Sequence, residues 1–135
     1  MIIRKAKIKD IKQCLNIQKL DNGKYWKAID FKKSVQNKGV VFLVAEENKE
    51  ILGYITGFIV PTKRTDALLH ETRVDKRQRK KGIGKKLVNA FCKEIFKKDS
   101  KIIYALIEPE HIKFYVNTCK FKKTQNWIEI AKKKV

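Results

Sequence analysis

A short basic stretch with two glycines lies between an apolar run and a segment of helical spacing. Its sequence is Arg79-Lys80-Lys81-Gly82-Ile83-Gly84. The first turn of a helix has N–H groups without intrahelical partners and carries the positive end of the helix dipole, so it attracts anions. Glycines let the backbone approach a phosphate, and lysine and arginine add full charges. The stretch therefore predicts a phosphate-binding loop at a helix start.

The glycine spacing excludes two common nucleotide-binding loops. Gly82 and Gly84 lack the third glycine of the dinucleotide fingerprint, and no Gly-Lys-Ser/Thr follows as in nucleoside triphosphatases. The remaining pattern is Arg-x-x-Gly-x-Gly, with Val74 five residues before Arg79. This pattern resembles the acyl-CoA pyrophosphate loop of the GNAT superfamily of N-acetyltransferases.

The strands and helices that must position this loop can be recognised by the spacing of their apolar residues. Apolar or alternating runs predict strands, and apolar residues at helical spacing predict helices. The predicted strands are Ile2–Ile8, Val40–Ala45, Ile51–Val60, Ala67–Val74, Lys101–Ile107 and Phe121–Ala131. The predicted helices are Ile11–Leu20, Tyr25–Gln36, Gly82–Lys97 and a short one around Ile112–Val116.

This element order predicts the fold class. Successive strands joined by turns are antiparallel, and the helix after Gly84 is a crossover between parallel neighbours. We therefore expect one α/β domain over residues 1–135, with a mixed sheet and helices on both faces. The order resembles the GNAT-like acyl-CoA N-acyltransferase fold, which implies six to seven strands and about four helices.

A second local match lies near the C-terminal end of the chain. Members of the family often have a Phe-Tyr or Leu-Tyr pair followed a few residues later by Gly-Phe, and Phe114-Tyr115 followed by Phe121 has a similar shape. The chain departs from that pattern, because Lys120 replaces the glycine and the spacing is one residue longer. The asparagine that the family places upstream is also missing, and Glu108-Pro109-Glu110-His111 occupies that region.

The resemblance implies acetyl-CoA as the donor. Its pyrophosphate would rest on N–H groups from Lys81 to Lys85, and Arg79 and Lys80 would pair with its phosphates. The pantetheine would enter where the fourth strand splays from Ile102–Ile107 and would pair with backbone. A backbone N–H near Val74 would stabilise the thioester oxyanion. The expected CoA-binding residues are Thr72, Arg73, Val74, Arg79, Lys80, Lys81, Gly82, Ile83, Gly84 and Lys85.

Two side chains are expected to move protons in the transfer. Glu71 is the candidate general base, since an amine attacks only as the free base. Tyr115 is the candidate general acid, because the family places a tyrosine here to protonate the leaving thiolate. The alternatives are that Glu71 pairs with Arg73 and that Tyr115 is a core residue, with Glu108 and His111 as second choices for the base.

Strand alternation makes a further prediction about the fourth strand. In a regular strand successive side chains point to opposite faces. Leu69, Glu71 and Arg73 should then share one face of the sheet, while His70 points to the other.

The resemblance implies a primary amine as acceptor, on a small molecule or on a protein N terminus or lysine. Acceptor specificity is expected in Leu20–Asn37 and Pro61–Asp66, which contain no readable motif. The formal charge of +19, from 33 Lys and Arg against 14 Asp and Glu, disfavours polycationic acceptors. The same charge leaves open an alternative function, a ribosome- or RNA-binding module of this fold with Trp26, Tyr25 and Trp127 as stacking groups.

Composition limits the remaining function classes. Three cysteines without CxxC spacing argue against a disulfide framework and a zinc site, so no metal is expected. No apolar run approaches the ~18 residues that span a bilayer, and no signal peptide is recognisable. We expect a cytoplasmic protein, monomeric or homodimeric, with no membrane partner.

Overall fold

The computed structural model describes residues 1–21, 26–61, 66–126 and 128–134, and they form a mixed α/β structure. The strands are β1 (Ile2–Lys5), β2 (Val40–Glu47), β3 (Glu50–Ile59), β4 (Ala67–Val74) and β5 (Ile103–Ala105). The α-helices are α1 (Ile11–Leu20), α2 (Ala28–Gln36) and α3 (Ile83–Lys97). Shorter turns are the 3-10 segments Ile8–Asp10, Lys76–Gln78 and Pro109–His111 and the π-helix Lys113–Thr118.

The strands form one sheet in the order β1-β2-β3-β4-β5. The pairs from β1 to β4 are antiparallel, and β4 pairs with β5 in parallel. The short connections from β2 to β3 and from β3 to β4 favour antiparallel neighbours, whereas α3 provides the long crossover that a parallel pair requires. The antiparallel pair of β1 and β2 is connected instead through α1 and α2. The predicted mixed sheet and the predicted parallel crossover after Gly84 are both confirmed.

Helices cover both faces of the sheet, as predicted. On one face, Leu87, Phe91 and Ile95 of α3 pack into an apolar cluster with the π-helix residue Tyr115. On the other face, α1 and α2 pack over Tyr54 in a second cluster. Apolar side chains spaced three and four apart give each helix one buried stripe, and that stripe fixes which face meets the sheet. Among the described residues, no helix has the length and apolar character needed to cross a bilayer.

The predicted number of strands was wrong: the described residues contain five, not six to seven. The predicted last strand, Phe121–Ala131, has no strand among its described residues. Ile128 and Ile130 remain 88% and 90% exposed. Alternation measures the tendency of a segment to be extended, but a strand also needs a ladder partner. Lysines flank these two isoleucines on both sides and favour solvation.

Several element bounds were predicted too long. β1 ends at Lys5 and β5 spans only Ile103–Ala105. The helix expected from Tyr25 begins at Ala28, and Tyr25 itself lies outside the described residues. Lys27 takes the extended N-cap conformation, and its N–H donates to the Asp30 carboxylate at 2.8 Å. That capping contact fixes the start of α2 after Lys27.

A β-bulge in β4 overturns the predicted alternation. Thr56 pairs with Glu71 and the next β3 residue, Gly57, pairs with Leu69, so His70 is an extra residue. Leu69 packs in the α3-side cluster, whereas Glu71 contacts Tyr54 of the opposite cluster. Leu69 and Glu71 therefore lie on opposite faces. A bulge inserts one residue and resets the two-residue repeat, which sequence alternation alone does not reveal.

Candidate active site

The sheet opens between β4 and β5. Their ladder has three pairs, of which the last joins Leu69 to Ala105, while β4 continues to Val74. The β4 residues beyond the bulge, Thr72 and Arg73 among them, therefore border a gap on the β5 side. An extended molecule can pair with strand backbone in such a gap as an added strand does. The β4–β5 ladder thus ends where the resemblance would place the entry of the pantetheine, and the pantetheine site itself stays a prediction.

In the chain, α3 follows the end of β4 after the 3-10 turn Lys76–Gln78 and the glycine loop. Gly82 is its N-cap residue, and no described side chain caps it. The N–H of Lys86 is the first to bond back into the helix, to the Gly82 carbonyl at 3.1 Å. The N–H groups of Ile83, Gly84 and Lys85 thus form the free first turn on which an anion can rest.

The two glycines of the loop are required for different reasons. Gly82 has φ +77°, and a Cβ there would meet nothing within 4 Å, so the backbone conformation selects glycine. A Cβ on Gly84 would lie 3.2 Å from Cζ of Phe114 and 3.6 Å from Cγ2 of Val74. Gly84 therefore lets α3 approach β4 and the π-helix closely. The motif predicted only the loop. The structure shows that Gly82 is required by its backbone conformation and Gly84 by close packing.

The candidate acid Tyr115 lies at the α3 side of the gap. Its side chain is buried, and its hydroxyl donates to Thr72 Oγ1 at 3.2 Å. Burial raises the pKa of Tyr115, and the contact with Thr72 opposes that shift. The ring packs edge-on against Phe114 and Phe121 at 4.9 and 5.8 Å between centroids. The structure thus joins a predicted catalytic residue to a predicted CoA-binding residue, in a position that keeps the phenol protonated.

The candidate base Glu71 lies on the other face of β4. Its carboxylate accepts a hydrogen bond from Tyr54 Oη at 3.0 Å and forms an ion pair with Arg73. Both side chains of the ion pair are largely buried. The pairing of Glu71 with Arg73, which was the alternative to a catalytic role, is therefore present. Glu71 and Tyr115 therefore lie on opposite faces of β4, and their roles as base and acid stay predictions.

Asp21, at the end of α1, joins this site and was missed by the sequence reasoning. One carboxylate oxygen, Oδ2, accepts from Arg73 Nη1 at 3.2 Å and from Arg79 Nη2 at 2.5 Å. Arg79 also donates from Nε to the Val74 carbonyl at 3.3 Å. The partners are more than 50 residues apart in the chain, so local sequence carries no signal for the contact.

Trp26 and His70 form a neighbouring aromatic contact. Their rings stack with centroids 5.0 Å apart, and Trp26 also packs edge-on against Phe31 at 5.2 Å. Burial lowers the pKa of His70, and the Glu71 carboxylate opposes that shift. Trp26, one of the possible stacking groups for RNA, is half-buried in these contacts. Trp127, the other expected stacking tryptophan, lies outside the described residues.

The remaining candidates contribute less to the site. Burial raises the pKa of Cys92 to about 11 and also raises that of Cys119, so both thiols stay protonated at neutral pH. A protonated thiol is a poor nucleophile, which favours direct attack by the acceptor. Glu108 and His111, the second choices for the base, are exposed. A hydrogen bond with Glu110 raises the pKa of Glu108.

The end of the β4–β5 ladder at Ala105 and the uncapped first turn of α3 are features that an acyl-CoA N-acyltransferase fold would show. The sequence profile of the acetyltransferase (GNAT) family matches residues 9–121. The chain belongs to the acetyltransferase (GNAT) family, whose members use acetyl-CoA. The family predicted from Arg79–Gly84 is therefore confirmed.

Individual relatives agree with this assignment. The L-2,4-diaminobutyric acid acetyltransferase of Marinococcus halophilus is 33% identical over 69 residues, which is 51% of this chain and 40% of that protein. An aminoglycoside acetyltransferase from an uncultured soil metagenomic sample, solved with sisomicin, has a TM-score of 0.82 at 15% identity, over 98% of this chain and 95% of its own. An aminoglycoside N-acetyltransferase solved with CoA has a TM-score of 0.82 at 16% identity, and the match covers 98% of this chain and 99% of that chain. The structural likeness shows the fold.

Proposed function

We propose that this protein transfers the acetyl group of acetyl-CoA to a primary amine of a small molecule or of a protein N terminus or lysine. The observation that carries the proposal is the gap beyond Leu69 and Ala105, which leads to the free first turn of α3. A thioester in that gap would lie between the face of Glu71 and the face of Tyr115. The pyrophosphate would rest on the N–H groups of Ile83, Gly84 and Lys85.

The transfer follows from these positions. The free amine attacks the thioester carbonyl carbon, so a C–N bond forms and the C–S bond breaks. Glu71 accepts the amine proton through a water molecule, and the Tyr115 phenol gives a proton to the departing thiolate. Solvent then returns the proton from Glu71 to Tyr115, which closes the cycle. A backbone N–H near Val74 stabilises the oxyanion that forms on the carbonyl oxygen.

The relatives suggest a small amine as the first class of acceptor to test, and the formal charge of +19 favours amines with few positive charges. One relative is named for L-2,4-diaminobutyric acid, and one structural neighbour was solved with sisomicin. The experiment is calorimetry of CoA binding, followed by thiol release from acetyl-CoA with L-2,4-diaminobutyrate, sisomicin, L-lysine and a peptide with a free N terminus. We expect binding in the micromolar range and turnover with at least one amine. Absence of CoA binding would reject the proposal.

A second candidate function rests on charge. The formal net charge is +19, and the basic side chains around the loop exceed what one pyrophosphate needs. Those exposed around the start of α3 are Lys76, Arg77, Arg79, Lys80, Lys81, Lys85 and Lys86. RNA binding would show a steep loss of affinity with salt, in a titration of a labelled RNA between 50 and 300 mM NaCl. Tight RNA binding in a protein that does not bind CoA would favour this function over acetyl transfer.

A further inference from the structure

Asp21 connects the helix α1 to both arginines of the gap. Its Oδ2 atom lies 2.5 Å from Arg79 Nη2 and 3.2 Å from Arg73 Nη1. α1 packs on the sheet face that contains Glu71 and Tyr54, whereas Arg79 begins the loop that leads to α3. One carboxylate therefore links the acceptor-side face to the expected donor-binding loop.

The contact holds Arg79 away from the helix N-terminus. The guanidinium folds back onto β4, where Nε donates to the Val74 carbonyl at 3.3 Å. Its side chain is 45% exposed, while the Asp21 side chain is 20% exposed. An ion pair that solvent reaches in this way is weak, so a more highly charged anion can displace the carboxylate.

The formal charges balance within the ion-paired cluster of Asp21, Glu71, Arg73 and Arg79. Asp21 and Glu71 supply two negative charges, and Arg73 and Arg79 supply two positive charges. Removing Arg79 from the group leaves Asp21 and Glu71 sharing Arg73, with one negative charge in excess. An excess carboxylate on the face of Glu71 attracts an ammonium group.

We propose that acetyl-CoA binding exchanges these ion pairs and thereby creates the binding site for the acceptor ammonium. The pyrophosphate takes Arg79, and the released Asp21 carboxylate binds the protonated amino group of a cationic acceptor beside Glu71. This inference rests on the proposed function, because it needs an acyl-CoA donor. It makes Asp21 a specificity-determining residue, and it requires that the donor binds before the acceptor.

The exchange predicts an effect of opposite sign on the two substrates. In Asp21→Asn, Arg79 no longer has a competing carboxylate, so CoA should bind about three- to tenfold more tightly. In the same variant, the KM of the best amine of the panel should rise about tenfold, with little change in kcat. A purely structural Asp21 would weaken CoA binding or leave it unchanged.

Two further variants isolate the mechanism. In an Arg79→Gln background, Asp21→Asn should no longer change CoA affinity, since the competition has no arginine to act on. Asp99→Asn is the matched control for net charge, because Asp99 is exposed just beyond the end of α3, with φ +64°, a conformation that asparagine tolerates. α3 has 15 residues and is about 22 Å long, so this control lies far from the loop.

The outcomes separate the two proposals. Unchanged or weaker CoA binding by Asp21→Asn, or equal tightening by Asp99→Asn, would overturn the exchange while acetyl transfer stands. A wild-type protein that does not bind CoA would reject the proposed function, and the exchange with it.

Discussion

The phenol of Tyr115 donates a hydrogen bond to Thr72 Oγ1 at 3.2 Å, which joins the π-helix to β4 beside the gap in the sheet. A π-helix is rare and is often found at functional sites, because its extra residue per turn re-aims a side chain. Here it is Tyr115 that lies buried within the π-helix and contacts β4. The phenol is therefore held in place by packing before any substrate arrives.

This geometry predicts the effect of Tyr115→Phe. Loss of the general acid should lower kcat about 100-fold, with CoA affinity unchanged, because the ring and its packing remain. Calorimetry and thiol-release kinetics measure the two quantities separately. Tyr104→Phe on β5 is the control, because it also removes a phenol hydroxyl, from a side chain that is 38% exposed. It should leave both kcat and CoA affinity unchanged. A Tyr115→Phe enzyme with wild-type kcat would remove Tyr115 from the mechanism.

Gly82 gives a test of the phosphate loop. In Gly82→Val, the branched side chain would occupy the helix turn where the pyrophosphate is expected, so CoA binding should become undetectable by calorimetry. Strain at φ +77° should also cost about 1–2 kcal/mol of folding stability. Gly82→Asn separates the two effects, since asparagine tolerates this conformation and should recover stability without recovering CoA affinity. Wild-type affinity in Gly82→Val would place the phosphates elsewhere.

The sequence predicted the elements whose signal is local. The strand Ala67–Val74 has the predicted bounds, and α3 begins within one residue of the prediction, because apolar periodicity and glycine punctuation are properties of short segments. The loop Arg79–Gly84 could be found in the same way. The packing role of Gly84 against Phe114 was not predicted and is visible only in the structure, whereas Gly82 has the positive φ that favours glycine.

The rest of the site depends on partners that are distant in the chain. The bulge at His70 is set by the register between β3 and β4, and it decides which face Glu71 occupies. The contacts of Asp21 with Arg73 and Arg79 need α1 to be docked on the sheet. The predicted strand at the C-terminal end failed for the same reason, since pairing is a tertiary property.

Gly57 gives a prediction about stability. A Cβ at this position of β3 would lie 2.3 Å from Cζ of Phe91 and 2.6 Å from the Leu68 carbonyl oxygen. The second contact is with backbone, so repacking of a side chain does not relieve it. Gly57→Ala should destabilise the fold by about 2–3 kcal/mol in urea unfolding. Gly39→Ala is the control, because the nearest atom to its Cβ is Asn37 Oδ1 at 3.3 Å. Equal stability of the two variants would contradict the packing of α3 on β3.

The last prediction concerns pH and the ion pair at the start of the chain. Arg4 donates to the Asp10 carboxylate from Nη1 at 2.7 Å and from Nη2 at 3.0 Å. The Lys7 N–H donates to the same carboxylate at 2.7 Å. Burial raises the pKa of Asp10, but these hydrogen bonds outweigh it, so the pKa lies below its usual value. A carboxyl with a depressed folded-state pKa stabilises the fold above its unfolded pKa of about 3.9. That stability is lost as the pH falls through the folded-state pKa.

Asp10→Asn should therefore destabilise the protein by about 2–3 kcal/mol at pH 7, because Arg4 loses its buried charged partner. The difference from wild type should begin to shrink as the pH falls below about 4, because the unfolded chain then binds a proton at Asp10 that the folded protein binds only below its own, lower pKa. Urea unfolding from pH 3 to pH 7 measures both effects, with the exposed Asp99→Asn as the control for net charge. A constant difference across that range would show that the charge of Asp10 does not stabilise the fold, and that the loss at pH 7 has another cause.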